Sequence, residues 1–182
     1  GGGSSNAATA LWGFNTLFSC GLSSEELKKI GTGLGADVPF FFSSGLAYCT
    51  GTGSIVEDLE SQKVPISSFW LAKPRHLHLA TPRVFQSLDL SKTSSQDPEK
   101  LKIAFLNGRG YCMNDLEPAA FSLQPQLKEW KQSFCSMGFD SVCMTGSGSS
   151  FMCFGQAKQM SKSDVDWIHV RPIRKSERWY AL

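Results

Sequence analysis

Gly1-Gly2-Gly3-Ser4-Ser5-Asn6 runs straight into Ala7-Ala8-Thr9-Ala10-Leu11, and that junction restricts the fold more than any other stretch. Glycines lack a Cβ, take positive φ and let a ligand approach the backbone. Ser4, Ser5 and Asn6 are helix-capping types, and the alanine-rich run after them reads as helix. A glycine-rich turn opening a helix offers unpaired N–H groups and the positive end of the helix dipole, which favours a phosphate. The bland alternative is an appended tag or a disordered glycine end. The downstream periodicity opposes it: Ala7, Leu11, Phe14 and Phe18 recur at i, i+4, i+7 and i+11, the stripe of a helix docking on a core.

Gly21 ends that helix, and Ser23 with Glu26 makes a capping box for a second one, whose apolar face carries Leu27, Ile30 and Leu34. Gly31, Gly33 and Gly35 are expected to break its regularity. Gly35 to Pro39 reads as a fixed turn, with Val38 pushed out of the helical region by the proline after it. Phe40-Phe41-Phe42 and Leu46 to Cys49 read as paired strands, Ile55 to Leu59 as an edge strand, and Phe69 to Ala72 as a buried strand ended by Pro74.

Thr81-Pro82 reads as a helix start with threonine as cap. Glu99 to Leu106 is a short helix, and Asn114-Asp115 caps the run toward Phe121. Leu127, Trp130, Phe134 and Met137, between Pro125 and Gly138, mark the clearest helix. Val142-Cys143-Met144 and Phe151 to Phe154 are strands flanking a second glycine-rich loop, Thr145 to Ser150. A further strand spans Trp167 to Val170, and the basic tail after Arg171 is expected to be solvated. The class is α+β, and the second half, in the order strand, helices, strand, strand, fits a two-layer sandwich.

Composition sets limits. At 182 residues and 41% hydrophobic, the chain can build a sizeable core. A net charge of +2 does not point to nucleic acid or a membrane surface, and no stretch approaches the roughly 18 apolar residues of a bilayer span. The six cysteines include no C-x-x-C pair, a pattern of reduced thiols in an intracellular or organellar protein. His76 and His78 have no Cys or carboxylate at ligand spacing, so no protein metal centre is expected. The chain lacks an initiator Met and a leader pattern and reads as a piece of a longer protein.

Several phosphate and nucleophile signatures are absent: there is no G-x-x-x-x-G-K-[ST] and no G-x-G-x-x-G. Gly2 to Asn6 comes within one residue of a G-x-S-x-G nucleophile elbow, with Asn6 in place of the last glycine. What remains is a glycine-serine segment near each end and one acid in a constrained turn. Asp37, between Gly35 and Pro39, reads either as a carboxylate that orients or deprotonates a substrate hydroxyl in phosphoryl transfer, or as an Asx-turn aspartate bonding its own backbone.

Gly1 to Ala8, Gly35-Ala36-Asp37-Val38-Pro39-Phe40-Phe41 and Thr145 to Ser150 together resemble the galactokinase–homoserine kinase–mevalonate kinase–phosphomevalonate kinase (GHMP) superfamily. Three further stretches narrow the likeness: Gly21-Leu22-Ser23 with Glu26-Leu27, Lys73-Pro74 leading to Thr81, and Asn114-Asp115-Leu116-Glu117-Pro118. They resemble the branch that phosphorylates the 2-hydroxyl of a diphosphocytidyl-linked methylerythritol in non-mevalonate isoprenoid synthesis. The likeness covers Gly1 to Gly155, and the tail beyond has no match.

The resemblance implies ATP and Mg²⁺ as cofactors and a small-molecule substrate. Gly1, Gly2, Gly3, Ser4, Ser5 and Asn6 would hold the ATP phosphates, with Ser4 or Ser5 reaching Mg²⁺. Asp37 would be the catalytic acid-base residue. Gly146, Ser147 and Gly148 match a third motif that supports the phosphate end. Thr81 falls near the substrate, against the alternative that it is only a helix cap. The resemblance implies a truncated ATP-binding domain over 1–62 and a ferredoxin-like C-terminal domain over 63–182. The segment carrying the family's catalytic lysine and its cytosine contacts has no counterpart, so the chain by itself is expected to be inactive. Family members work in the bacterial cytoplasm or the plastids of plants and algae. The alternatives are another kinase of the superfamily, of homoserine or mevalonate type, and a non-catalytic nucleotide-binding relative.

Overall fold

The structure, a computed structural model, describes residues 1–59, 66–108, 113–158, 160, 163–173 and 175. The chain divides into two compact units, Gly1–Val64 with Ile173–Leu182, and Pro65–Pro172.

The first unit holds helices α1 (Gly2–Leu17) and α2 (Ser24–Leu34), a 3-10 turn (Pro39–Phe42) and a hairpin of β1 (Ala47–Thr50) and β2 (Ile55–Asp58). The capping box forms as its sequence dictates: the Glu26 amide donates to Ser23 Oγ at 3.3 Å, and the Ser23 amide donates to Glu26 Oε2 at 2.8 Å. Contrary to expectation, α2 runs on through Gly31 and Gly33. Glycine at 31 serves packing, because a Cβ there would meet Val38 Cγ1 at 2.8 Å.

Val38 also departs from expectation. It keeps helical dihedrals, φ −62° and ψ −43°, in spite of the proline after it. Burial of its side chain against α2 and a bond from the Phe41 amide to its carbonyl, 3.1 Å, outweigh the local preference. Phe40-Phe41-Phe42 is therefore 3-10 helix and not a strand. The partner of β1 is β2, in antiparallel register from Ala47↔Asp58 to Thr50↔Ile55.

The stripe on α1 is only partly buried: Ala7 and Leu11 are half-buried, and its second half lies open. Phe14 is 59% and Phe18 66% exposed, stacked on each other at 6.1 Å, and Ala8 is the residue of this helix that is fully enclosed. A helical period records that one face is apolar and does not supply what covers it. In the tail, Lys175 is docked and not solvated: its amide donates to Ser44 O at 2.8 Å and its Nζ to Phe41 O, above the Phe41 ring. Residues 174 and 176–182 lie outside the described residues.

The second unit contains β3 (Phe69–Pro74), α3 (Thr81–Gln86), α4 (Pro98–Leu106), α5 (Glu117–Leu123), α6 (Gln126–Ser136), β4 (Ser141–Met144), β5 (Phe151–Phe154) and β6 (Val165–Val170). Its strands make one antiparallel sheet in the order β4-β5-β3-β6. That is the strand order of a ferredoxin-like sandwich. β5 and β6 lie on either side of β3, so they are joined by a crossover connection. Among the described residues no helix fills this second crossover, and Ala157 and Met160 pack on the core in its place.

The core follows from the pattern on α6. Leu127 and Phe134 are completely enclosed, and Phe134 meets the rings of Trp130, Phe151 and Trp167 at 5.5, 5.4 and 5.2 Å. Two expected caps are absent. Ala80, not Thr81, precedes α3, and Leu116 precedes α5, each without a side-chain cap bond. Asp115 instead accepts from the Ser94 amide at 2.8 Å.

Candidate active site

In the first unit the glycine run is not a turn before a helix; it is the helix's opening turn. The Ser5 amide donates to Gly1 O at 2.9 Å, the first bond of α1. The amides of Gly2, Gly3 and Ser4 therefore precede the hydrogen-bonding register and take no acceptor among the described residues. A Cβ at Gly2 or Gly3 would meet nothing within 4 Å, so open space lies beside those donors. Ser5 Oγ donates to Gly2 O at 2.8 Å, which leaves Ser4 as the hydroxyl of the pair with no bond among the described residues. Asn6 is exposed. The free amides and the dipole make this terminus a fit for phosphate oxygens.

Asp37 lies in the turn before Pro39, exposed, and its carboxylate accepts no hydrogen bond from a described residue. The Asx-turn reading thus has no bond to stand on. Its oxygen Oδ1 would come within 3.9 Å of a Cβ placed on Gly53. Cys49, nearby, has its thiol pushed up, first by burial and then by the negative charge of Asp37.

The second unit holds the other glycine loop between β4 and β5. It is closed by the Thr145 amide on Ser150 O at 2.9 Å and the Gly148 amide on Thr145 O at 3.1 Å. The amides of Gly146 and Ser147 take no acceptor among the described residues. Gly146 and Gly148 have φ of +56° and +91°, and a Cβ on Gly148 would strike Met144 Sδ at 2.8 Å, so both positive φ and close packing call for glycine there. Thr81 Oγ1 lies 2.8 Å from Ser147 Oγ. The threonine that reads as a cap is tied to the loop, beside a surface cleft of about 490 Å³ lined by His78, Ala80, Arg83 and Gln124.

Four residues of this neighbourhood, Lys73, Ser149, Asn114 and Glu117, escaped the sequence reading as functional positions. Lys73 Nζ donates to Leu77 O at 2.6 Å and to Ser149 Oγ, and Ser149, buried, donates to Leu77 O. Burial pulls the Lys73 ammonium below the ordinary lysine range, against an opposing pull from Asp166. Asn114 and Glu117 also bond to the β4 end of the loop. Their run stood out in the sequence, but its spacing suggests a helix cap.

The sheet of this order with a glycine loop between two of its strands, and in the other unit the helix that opens on glycines, agree with the GHMP kinase fold, which rests on likeness to a solved structure. A solved structure described as 4-(cytidine 5'-diphospho)-2C-methyl-D-erythritol kinase superposes with a TM-score of 0.65 at 30% identity, over 86% of this chain and 57% of that one. No family model matches the chain. Curated proteins named 4-diphosphocytidyl-2-C-methyl-D-erythritol kinase do. The protein from Protochlamydia amoebophila is 43% identical over all of this chain and 60% of its own length. The chloroplastic proteins of Mentha piperita and Arabidopsis thaliana are 42% and 44% identical, over 100% and 99% of this chain and 48% and 50% of theirs. The chain is a relative of these kinases along its whole length, the tail after Gly155 included, and spans about half to three-fifths of theirs.

Proposed function

We propose that the protein takes part in ATP-dependent phosphorylation of the 2-hydroxyl of 4-diphosphocytidyl-2-C-methyl-D-erythritol, in the synthesis of isoprenoid precursors. The observation that carries this is the pairing, within one unit, of a helix terminus with free amides at Gly2, Gly3 and Ser4 and an exposed, unbonded carboxylate at Asp37. Identity above 40% to kinases of that name along the chain supports it.

In this reading the Gly1 to Asn6 segment holds ATP phosphate oxygens through the free N–H groups of Gly2, Gly3 and Ser4, with the Ser4 hydroxyl as a further donor. In the second loop Gly146 and Ser147 offer amides to an anionic oxygen, while the Gly148 amide closes the loop on Thr145 O. Asp37 accepts the proton of the attacking hydroxyl as phosphoryl transfer proceeds. Thr81 serves the substrate side through its hydroxyl. Mg²⁺, when bound, would supply positive charge to the transferring phosphate. Among the described residues no three His, Cys, Asp or Glu side chains converge on a metal site, so phosphate oxygens and water, with Ser4, would hold the ion. No helix among the described residues is long and apolar enough to cross a membrane, and the chloroplastic names of the plant relatives support a plastid location.

ADP release by the protein expressed from its complete gene tests the reading, with the cytidyl substrate, homoserine or mevalonate supplied in turn. Turnover is expected with the cytidyl substrate alone. Asp37→Asn is expected to lower kcat roughly 10²–10⁴-fold with ATP affinity retained. Turnover with homoserine or mevalonate instead would replace the substrate. ATP binding without any transfer would leave a nucleotide-binding relative, and an unimpaired Asp37→Asn would remove the base.

A further inference from the structure

The Asn114-to-Pro118 run, which the proposed chemistry does not use, converges on a single residue of β4. Asn114 Nδ2 donates to both Met144 O and Gly146 O at 2.7 Å, and Asn114 Oδ1 accepts from the Leu116 amide at 2.9 Å. Glu117 Oε1 accepts from the Met144 amide at 2.9 Å, while its Oε2 accepts from Lys131 Nζ at 2.5 Å. The Glu117 side chain is only 12% exposed and its Lys131 partner 28%, so the pair is screened less than a surface pair.

These bonds fix two carbonyls and an amide on either side of Thr145, where the strand gives way to the loop. A peptide plane has one orientation for its C=O and N–H. Holding the Gly146 carbonyl on Asn114 therefore sets the direction of the Ser147 amide, one of the two loop amides with no acceptor among the described residues.

We infer that Asn114 and Glu117 are positioning residues for the glycine loop, aiming the Ser147 amide outward to receive an anionic oxygen of the nucleotide. The inference rests on the proposed kinase reading for the identity of that oxygen, and on the hydrogen bonds for the rest.

Amide exchange and ATP titration on the same preparations separate the two. Asn114→Ala is expected to speed exchange at Thr145 and Gly148 roughly tenfold, the scale of losing two hydrogen bonds, with amides of α6 and β5 unchanged. ATP affinity is expected to fall by a similar factor, through KM more than kcat. Glu117→Ala should act alike, and Glu117→Gln, which keeps an acceptor for the Met144 amide, should restore the loop.

Loop exchange at the wild-type rate in Asn114→Ala or Glu117→Ala would overturn the inference. So would a loss of protection spread evenly over loop and core, or loosened loops that bind ATP as the wild type does. If Asn114→Ala does not fold, the Glu117→Ala and Glu117→Gln pair decides. Absence of ATP binding in the wild type overturns the kinase reading and the anionic role together, and the exchange rates then show whether the side chains hold the loop for another purpose.

Discussion

The two units carry similar apolar patterns and treat them differently. In the second, α6 and the sheet enclose Phe134, Phe151, Leu127 and Met144 almost completely. In the first, the enclosed apolar side chains are small or isolated, Ala8, Leu27, Val38 and Leu59, while Phe14, Leu17, Phe18 and Leu34 are each more than half exposed. Burial is what converts an amphipathic pattern into stability. The second unit should therefore be the cooperative, slowly exchanging part of the molecule, and the first should open at lower cost.

The sharpest way to break this comparison is to remove the ring at the centre of the second core. Phe134→Ala is expected to destabilise that unit by about 3–5 kcal/mol, seen as lost protection of the β3, β4 and β5 amides with the α2 amides little changed. Equal loss in α2 would mean that the units do not act separately. Gly31→Ala probes the one tight contact of the first unit. The added methyl meets Val38 Cγ1, with an overpacking cost of about 1–3 kcal/mol against roughly 1 kcal/mol gained in helix propensity. Faster exchange in α2 is the expected net result, and slower exchange would show that Val38 yields freely. The smallest effect belongs to Ser23→Ala, about 1 kcal/mol from loss of the cap, confined to the first turn of α2 and readable as its fraying.

The legible parts of the fold were those fixed by short-range chemistry. The Ser23–Glu26 box and the α6 period need only neighbours in sequence, and both appear where the residues place them. Phe40-Phe41-Phe42 was ambiguous because a three-residue apolar run fits a strand or a turn of helix equally well. The packing of Val38 on Gly31 decided it. The same limit applied to Thr81 and Asn114. Each has a local reading as a cap, and each reaches a partner distant in sequence, Ser147 for one and, besides the local bond from the Leu116 amide, the Met144 and Gly146 carbonyls for the other. Within the candidate site, the Gly-rich segments and Asp37 could be given a chemical role from the sequence, while Lys73 and Glu117 stood out only as parts of runs that resemble the family, since a lysine in a strand and a glutamate beside a proline imply no role by themselves.

The bonds on Met144 have a consequence beyond the loop. β4 is one of the two outer strands of its sheet, and an antiparallel border strand presents N–H and C=O groups on which another chain can continue the sheet. At Met144 both groups are already taken by Glu117 and Asn114. The two side chains thus act as a false neighbouring strand, covering the border of the sheet at Met144 and denying that position to β-strand addition by a second molecule.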